Sequence, residues 1–476
     1  MIHHILCLLE AGGIFMAENC KQNGNRLITG VIWREVLIFF VPLLLGAFLQ
    51  QLYNTADAMI VGRFVGPAAL SAVGGTTGQI LNLIIGFFLG LSSGAMVIIS
   101  QFFGGGRRDE VNRTIHASLA LSLAGGAVLT VLGVVAAPTL LRLLNTPEEV
   151  MGFAVPYLRI YFAGTVANLL YNMGSGILRA VGDSKSPLWV LLACTVVNVL
   201  LDLLFVGVFH MDTAGAAIAT VLSQLFSAVL VLLLVHKKGE GFRLSLKRLR
   251  FDPPLLRRVT YIGLPAGIQA VLYSLSNLII QAGVNAFGTN TIAAWTVFGK
   301  IDSLFWIVVD SFGVAVTTFI SQNYGARKLG RVKKGVNVCL VMCTVIILVL
   351  SAVLYVLSGP LTHLFTDDPE VIAMATRVAH FQILFFWTWT CIQVYSCVLR
   401  AVGDSIVPMV FIALGVCGLR VVWVLLVAPL LPHVLEYTVS CYQISWAVTS
   451  LLFAWYYYRK APVQQLLRGV RPSETD

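Results

Sequence analysis

The chain has 476 residues, of which 58% are hydrophobic and only 11% are charged, and its formal net charge is +10. Globular domains usually carry about a quarter charged residues, so this composition excludes an ordinary soluble protein. Residues 189–209 and 340–359 are apolar runs, each about as long as the 20 residues that a helix needs to cross a bilayer. The sequence therefore predicts an all-α polytopic membrane protein.

The first 29 residues are predicted to be a cytoplasmic leader. Residues 1–15 are weakly apolar and have no basic segment in front of them, so they do not resemble a cleaved signal peptide. A polar stretch begins at Met16, which is a second candidate for the true start. Residues 1–25 are excluded from the predicted fold.

Hydropathy, together with proline, glycine and charged residues as breaks, predicts twelve transmembrane helices. Several exceed the minimum spanning length, which indicates tilt or extension beyond the hydrocarbon. The predicted spans are 33–60, 67–100, 110–141, 150–179, 187–209, 213–236, 254–285, 290–321, 332–358, 370–399, 407–430 and 436–458.

The basic residues predict the orientation. An even number of helices puts both termini on one side, and if that side is cytoplasmic, its loops and termini hold 26 of the 32 Lys and Arg residues. The opposite loops hold only Arg63 and Arg142. This distribution follows the positive-inside rule. It predicts a bacterial plasma-membrane protein with cytoplasmic termini, whose net charge faces anionic lipid rather than nucleic acid.

An internal repeat divides the chain into two halves. The segment LRAVGDS occurs at 178–184 and again at 399–405, 221 positions later, and the ISQ segments at Ile99 and Ile320 have the same offset. The sequence therefore predicts two pseudo-symmetric six-helix bundles, 30–236 and 254–460. A basic cytoplasmic linker at 237–253 joins them, and a cytoplasmic tail follows at 461–476. Transporters built this way bind substrate between their halves.

Both copies of LRAVGDS fall at cytoplasmic turns, between helices 4 and 5 and between helices 10 and 11. Gly182 and Gly403 suit a tight turn, and Pro187 and Pro408 suit the first turn of the next helix. We interpret the motif as structural and not as an active site.

These features together resemble the multidrug and toxic compound extrusion (MATE) transporters. The shared features are the twelve helices in two repeats, LRAVGDS at both turns, ISQ after helices 2 and 8, and QLYNTADAMIVGRFVG in helix 1. The resemblance covers residues 30–460, and the helix-1 sequence is similar to that of the DinF-like bacterial branch. It implies cation-coupled export of amphipathic organic compounds by alternating access.

Ionisable residues in apolar spans are costly and therefore indicate function. Asp57 lies in predicted helix 1, and Asn198 and Asp202 lie four residues apart in helix 5, on one face. With Thr220 of helix 6, these residues are roughly 5 to 10 Å from the outer ends of their helices at a rise of about 1.5 Å per residue. Their hard oxygen atoms suit Na⁺ or a shared proton.

The resemblance assigns the same residues a role. The alternative from the residues alone is that Asp57 caps or lies in the interface while Asn198 and Asp202 only bond neighbouring helices. The family pattern implies instead that Asp57, Asn198, Asp202 and Thr220 bind the coupling H⁺ or Na⁺, that Tyr53 and Tyr157 flank them, and that helix 1 bends at Pro42.

The second half departs from some relatives. Leu419 and Trp423 occupy the positions equivalent to Asn198 and Asp202, and the C-terminal carboxylate site of the NorM-like branch is missing. Asp310 in helix 8 and Arg420 in helix 11 have similar predicted depths, roughly 15–18 Å from their cytoplasmic ends. We therefore predict an ion pair between them, serving either as a lock or as part of transport. Asn172, Lys300 and Asp302 are further candidates for lining a cavity.

We predict a secondary antiporter that exports cationic or amphipathic drugs and metabolites, with H⁺ or Na⁺ as the coupling ion and no other cofactor. The alternative is a flippase for a lipid-linked precursor, although such proteins usually have a cationic cavity. An enzyme is not predicted, because no nucleophile–base set or metal cluster is evident. Without a Walker motif ATP is not expected to drive transport. The expected partners are a small organic substrate and the bilayer, and the protein is expected to be monomeric.

Overall fold

A computed structural model describes residues 26–237, 244–245, 248–432 and 434–460, and helices joined by short turns make up nearly all of it. Most of the predicted leader, part of the predicted linker and the predicted tail lie outside the described residues. All twelve predicted spans coincide with helical segments, which we number α1 to α12.

The first half begins with a short helix at Arg26–Thr29 and continues with six spans. Of these, α2 is divided at Gly75 into Pro67–Gly74 and Thr76–Gly104, and α4 into Glu148–Ala163 and Thr165–Ala180. The spans are α1 (Ile32–Phe64), α2 (Pro67–Gly104), α3 (Arg108–Leu143), α4 (Glu148–Ala180), α5 (Lys185–Val208) and α6 (Asp212–Lys237).

The second half also consists of six spans. Its first three spans are continuous helices, and the later three are divided. They are α7 (Pro253–Asn285), α8 (Thr289–Gly325), α9 (Leu329–His363), α10 (Pro369–Ile383 with Phe386–Ala401), α11 (Ile406–Leu430) and α12 (Leu435–Val439 with Cys441–Arg459).

Nine helices in the described part of the chain are long and apolar enough to cross a membrane, and the two bent spans α4 and α10 raise the number to eleven. The remaining predicted span, α12, is divided at Ser440 and carries polar side chains such as Gln443 on its buried face. Its position agrees with the twelfth predicted helix.

The irregular points of the helices recur in both halves. Helix α4 bends by 52° at Gly164 and α10 bends by 44° near Phe385. The end of α5, Leu203–Val208, is π-helical, and α11 contains two π-helical stretches, Ile412–Gly418 and Trp423–Val427. Helix α1, in contrast, runs without interruption through Pro42 from Ile32 to Phe64, so the predicted bend there is not a break in the helix.

The two repeated motifs bind one another within each half. The Ser100 hydroxyl donates to the Ala180 carbonyl at 3.2 Å, and the Ser321 hydroxyl donates to the Ala401 carbonyl at 3.3 Å. These four residues are repeat mates, so ISQ holds the start of the LRAVGDS turn in both halves. The turns themselves contain Gly182 and Gly403 with φ of 91° and 101°.

Aspartates of the same motif cap the helices that follow. Asp183 accepts hydrogen bonds from the backbone N–H groups of Lys185 and Ser186, and Asp404 accepts one from Val407. A side-chain oxygen at this position satisfies a donor that has no partner inside the helix. The duplicated segment is therefore structural, as the sequence analysis predicts.

Two compact units make up the structure. Among the described residues, those within 1–82, 98–256 and 325–327 form unit 1, and those within 83–97, 257–324 and 328–476 form unit 2. In unit 1, α6 packs against α4 and α5, and α1 packs against α5. In unit 2, α12 packs against α10 and α11. The predicted boundaries, 30–236 and 254–460, remain a prediction.

Candidate functional site

Four helices of unit 1 contribute polar side chains to one buried region. Each helix carries two of them, four residues apart, and residues with that spacing lie on the same helix face. The pairs are Tyr53 and Asp57 on α1, Tyr157 and Tyr161 on α4, Asn198 and Asp202 on α5, and Thr220 and Gln224 on α6.

The predicted site residues are deeply buried. Asn198 and Asp202 have no exposed surface, Thr220 is 3% exposed and Asp57 is 7% exposed. Such burial is costly for polar groups unless hydrogen bonds or an ion compensate for it. Atoms in this set without a hydrogen-bond partner among the described residues are Tyr53 Oη, Asp57 Oδ1, both amide atoms of Asn198, both carboxyl oxygens of Asp202 and Thr220 Oγ1.

The carboxyl groups of Asp57 and Asp202 lie within interaction range of each other. Both are acceptors when charged, so neither can satisfy the other, and two adjacent carboxylates repel. A proton on one of them would allow a hydrogen bond between the two groups, and a cation between them would offset their repulsion. The pair is therefore suited to bind one positive charge.

The surrounding oxygen atoms fit the same ion. The Tyr53 hydroxyl lies beside the Thr220 hydroxyl, and Tyr157 lies within electrostatic range of both carboxyl groups. Carboxylate, amide and hydroxyl oxygens are the ligands that hard cations prefer. Asp57, Asn198, Asp202 and Thr220 would thus be suitable ligands for Na⁺ as well as acceptors for H⁺.

Two residues of this region, Tyr161 and Gln224, were missed by the sequence analysis. The Gln224 side-chain amide donates to the Tyr161 hydroxyl at 3.3 Å, and the Tyr161 ring stacks on that of Tyr157 at 6.3 Å between centroids. The available signal was their spacing, since each follows a predicted site residue by four positions. They connect α6 to α4 beside the carboxyl pair.

Comparison with known proteins supports the resemblance found in the sequence. A family model described as MatE matches residues 42–204 and 265–426, one match in each half. The chain belongs to the MATE family. It is 31% identical over 451 residues to the probable multidrug resistance protein YoeA of Bacillus subtilis (strain 168), with 92% of this chain and 96% of YoeA covered.

A less similar relative carries the name of a different transporter. The chain is 26% identical over 362 residues to the FAD transporter of Shewanella oneidensis, covering 74% of this chain and 78% of that protein. A crystal structure of MATE in the bent conformation matches with a TM-score of 0.85 at 21% identity, covering 94% of this chain and 99% of that one.

These matches confirm the predicted fold class of twelve helices in two bundles. They also place the chain in a family of small-molecule multidrug transporters, and show that it is a multi-pass membrane protein and not an enzyme.

The ion pair predicted between Asp310 and Arg420 is wrong in this structure. Asp310 is exposed, Arg420 has no exposed surface, and no salt bridge joins them within the described residues. Arg400 lies within electrostatic range of Asp310. Equal depth in two helices says nothing about the direction of the side chains, and these two point to different surroundings.

The other second-half candidates also have local roles. The Asp302 carboxylate accepts a hydrogen bond from the Trp306 indole at 2.8 Å, and the Lys300 side chain is exposed. In the first half, the Asn172 side chain donates to both the backbone carbonyl and the side-chain oxygen of Asn168 at 3.0 Å.

Proposed function

We propose that this MATE family member is a secondary antiporter that exports amphipathic or cationic organic compounds in exchange for H⁺ or Na⁺ by alternating access. The observation that supports the proposal most strongly is that the Asp57 and Asp202 carboxyl groups lie within interaction range of each other and have oxygen atoms without a hydrogen-bond partner among the described residues. A fixed structural pair would have donors for these atoms. A site that must bind and release a cation has oxygen atoms that only the cation satisfies.

Coupling follows from charge balance at this pair. When the ion is bound, the carboxyl pair carries one net negative charge instead of two, and the helices that carry it can pack closely. Release of the ion leaves two adjacent carboxylates in a poorly solvated environment, which favours a conformation that admits water or a cationic substrate. The exporter then alternates because ion and substrate stabilise different conformations.

The test is efflux of ethidium, a flat cation, from proteoliposomes with the Na⁺ and pH gradients imposed separately. Wild-type protein should respond to at least one inward ion gradient. Asp57→Asn and Asp202→Asn should each abolish the gradient-dependent component, because one carboxylate cannot supply the same affinity change. Full gradient-driven efflux by both variants would overturn the proposal.

A matched control is available in the same half. Asp212 is exposed at the start of α6 and has a φ of 49°, a conformation that Asn adopts readily. Asp212→Asn removes the same charge from the protein without touching the buried pair, so its efflux should equal that of the wild type.

The comparisons do not favour the flippase alternative, because a relative such as YoeA is named a probable multidrug resistance protein. The acidic character of the buried region in unit 1 also favours a cationic ligand at that region. We further propose that the protein acts as a monomer. We also propose that both termini lie in the cytoplasm, on the same side as residues 240–250. Cysteine labelling of those residues from each side of the membrane would test this orientation.

A further inference from the structure

A second buried polar region lies in unit 2 around Arg420 of α11. This side chain has no exposed surface. Its guanidinium carbon lies 4.1 Å from the ring centroid of Tyr442, 5.1 Å from that of Tyr273 and 5.8 Å from that of Trp446. Three helices, α7, α11 and α12, therefore meet at one arginine, and none of the residues was required for the proposed coupling site.

The hydrogen bonds of Arg420 are few and long. Its Nε donates to the Ser445 hydroxyl at 3.3 Å and its Nη1 donates to the Asn277 side-chain oxygen at 3.4 Å. Its Nη2 has no partner among the described residues, and neither does the indole Nε1 of Trp446. Both of these groups can only donate, so each would be satisfied by an acceptor on a bound compound. The Tyr273 hydroxyl, which can donate or accept, also has no partner among the described residues.

No carboxylate of the described residues forms a salt bridge with Arg420. Asp302 of α8 lies within electrostatic range of Arg420, but its carboxylate accepts a hydrogen bond from the Trp306 indole at 2.8 Å. Aromatic faces attract a guanidinium but carry no full negative charge. The positive charge is thus partly stabilised by the rings and remains available to an anion.

The backbone at Arg420 is also unusual. The residue lies in the short segment Leu419–Val422, with π-helical stretches on either side at Ile412–Gly418 and Trp423–Val427. Such stretches are costly in regular helices and are frequent at functional sites. The related irregularity in the first half, Leu203–Val208, directly follows Asp202 of the candidate coupling site.

We propose that Arg420 and the surrounding Tyr273, Tyr442 and Trp446 bind the anionic group of planar aromatic compounds, such as an aromatic carboxylate. The guanidinium binds the carboxylate through Nη2 and Nη1, displacing the long bond to Asn277, and the aromatic rings pack against the planar part of the compound. This inference names a substrate class for the proposed exporter and rests on that proposed function.

The test is binding of 1-pyrenebutyrate to the purified full-length protein in nanodiscs, followed by energy transfer from tryptophan to pyrene. Trp446 suits this readout because its ring centroid lies 5.8 Å from the Arg420 guanidinium carbon. Trp389 and Trp306 lie beside Trp446, with ring centroids 5.7 Å and 6.3 Å from it. The comparison ligand is 1-pyrenebutanol, which has the same rings and chain without the charge. The acid should bind about tenfold more tightly than the alcohol.

Arg420→Gln should remove this preference for the acid and leave binding of the alcohol unchanged. Arg377→Gln is the matched control, because Arg377 is also in unit 2 and its side chain is 68% exposed, where it pairs with Glu436. The preference should persist in that variant. Should Arg420→Gln fail to fold, Arg420→Lys keeps the charge without the planar fork, and it should reduce the preference without abolishing it.

Equal affinity of the acid and the alcohol for the wild type would overturn the proposal without any variant. A preference that survives Arg420→Gln would overturn it as well. Because binding is measured with no ion gradient, either result leaves the coupling proposal standing. Loss of gradient-driven ethidium efflux in the wild type would instead overturn the proposed function.

Discussion

Replacing Asp202 by Asn should make the protein more stable while it abolishes coupled efflux. Two unit charges about 4 Å apart repel by about 4 kcal/mol at an effective dielectric constant near 20. Protonation of one carboxyl offsets part of this repulsion in the wild type, so we expect a gain of about 1–3 kcal/mol. Asn has nearly the same shape as Asp, and its amide can donate to Asp57 Oδ1, which has no partner among the described residues.

Thermal unfolding of the purified proteins in detergent measures this gain, and the expected rise in Tm is a few degrees. The sign of the pH dependence is part of the prediction. In the wild type, lowering the pH adds a proton to the carboxyl pair and relieves the repulsion, so stability should rise. The Asp202→Asn variant has no such pair, and the difference between the two proteins should therefore be largest at high pH.

Asp212→Asn serves as the control and should leave both Tm and its pH dependence unchanged. The reasoning is refuted if Asp202→Asn is less stable than the wild type at every pH. It is also refuted if both proteins show the same pH dependence, since the repulsion between the carboxylates would then contribute nothing.

Three further predictions concern other parts of the structure. Ser321→Ala should lower the stability of the protein by about 1 kcal/mol, because it removes the hydrogen bond to the LRAVGDS turn, and thermal unfolding would show this. Gly90→Ala should lower it by about 2–3 kcal/mol, since a Cβ atom there would lie 2.3 Å from the backbone nitrogen of Gly267. Gly176→Ala, whose Cβ meets no atom within 4 Å, should be neutral or slightly stabilising in the same assay, and equal losses for both glycine variants would contradict the close packing. Asp302→Asn should increase the binding preference for 1-pyrenebutyrate about two- to fivefold, because it removes a negative charge whose field reaches Arg420. A decreased preference would show that Asp302 positions the arginine.

Most of the fold could be predicted from the sequence, because a bilayer requires each span to be long, apolar and helical. The 221-residue offset also predicted which turns repeat, and the structure adds that Ser100 and Ser321 bind those turns. The bends of α4 and α10 and the π-helical stretches were not predicted. They depend on packing between helices, for which hydropathy gives no signal.

Sequence reasoning identified most of the polar residues of the buried region in unit 1, but it did not identify the contacts of Arg420 in unit 2. The pairs on α1 and α5 were predictable because a four-residue spacing fixes a common helix face. Tyr161 and Gln224 follow the same rule. However, an uncharged tyrosine or glutamine costs less in an apolar span than a carboxylate does, so it is a weaker indication of function.

The error at Asp310 and Arg420 has a physical reason. Rise per residue gives the depth of a side chain, whereas contact also requires its direction around the helix axis. Asp302 and Asp310 are eight residues apart on α8, which separates them by about 80° and about 12 Å. Arg420 faces α7 and α12, where its neighbours are aromatic rings instead of a carboxylate.

The central claim is that a substrate and the coupling ion compete through the Asp57–Asp202 pair. The most direct measurement is ion release when ethidium is added to the purified protein, followed with a pH indicator for H⁺ and with ²²Na⁺ for sodium. Wild-type protein should release about one ion per molecule, and Asp57→Asn should release none, because one carboxylate no longer holds the shared charge. Binding of ethidium to the wild type without release of either ion would contradict the account.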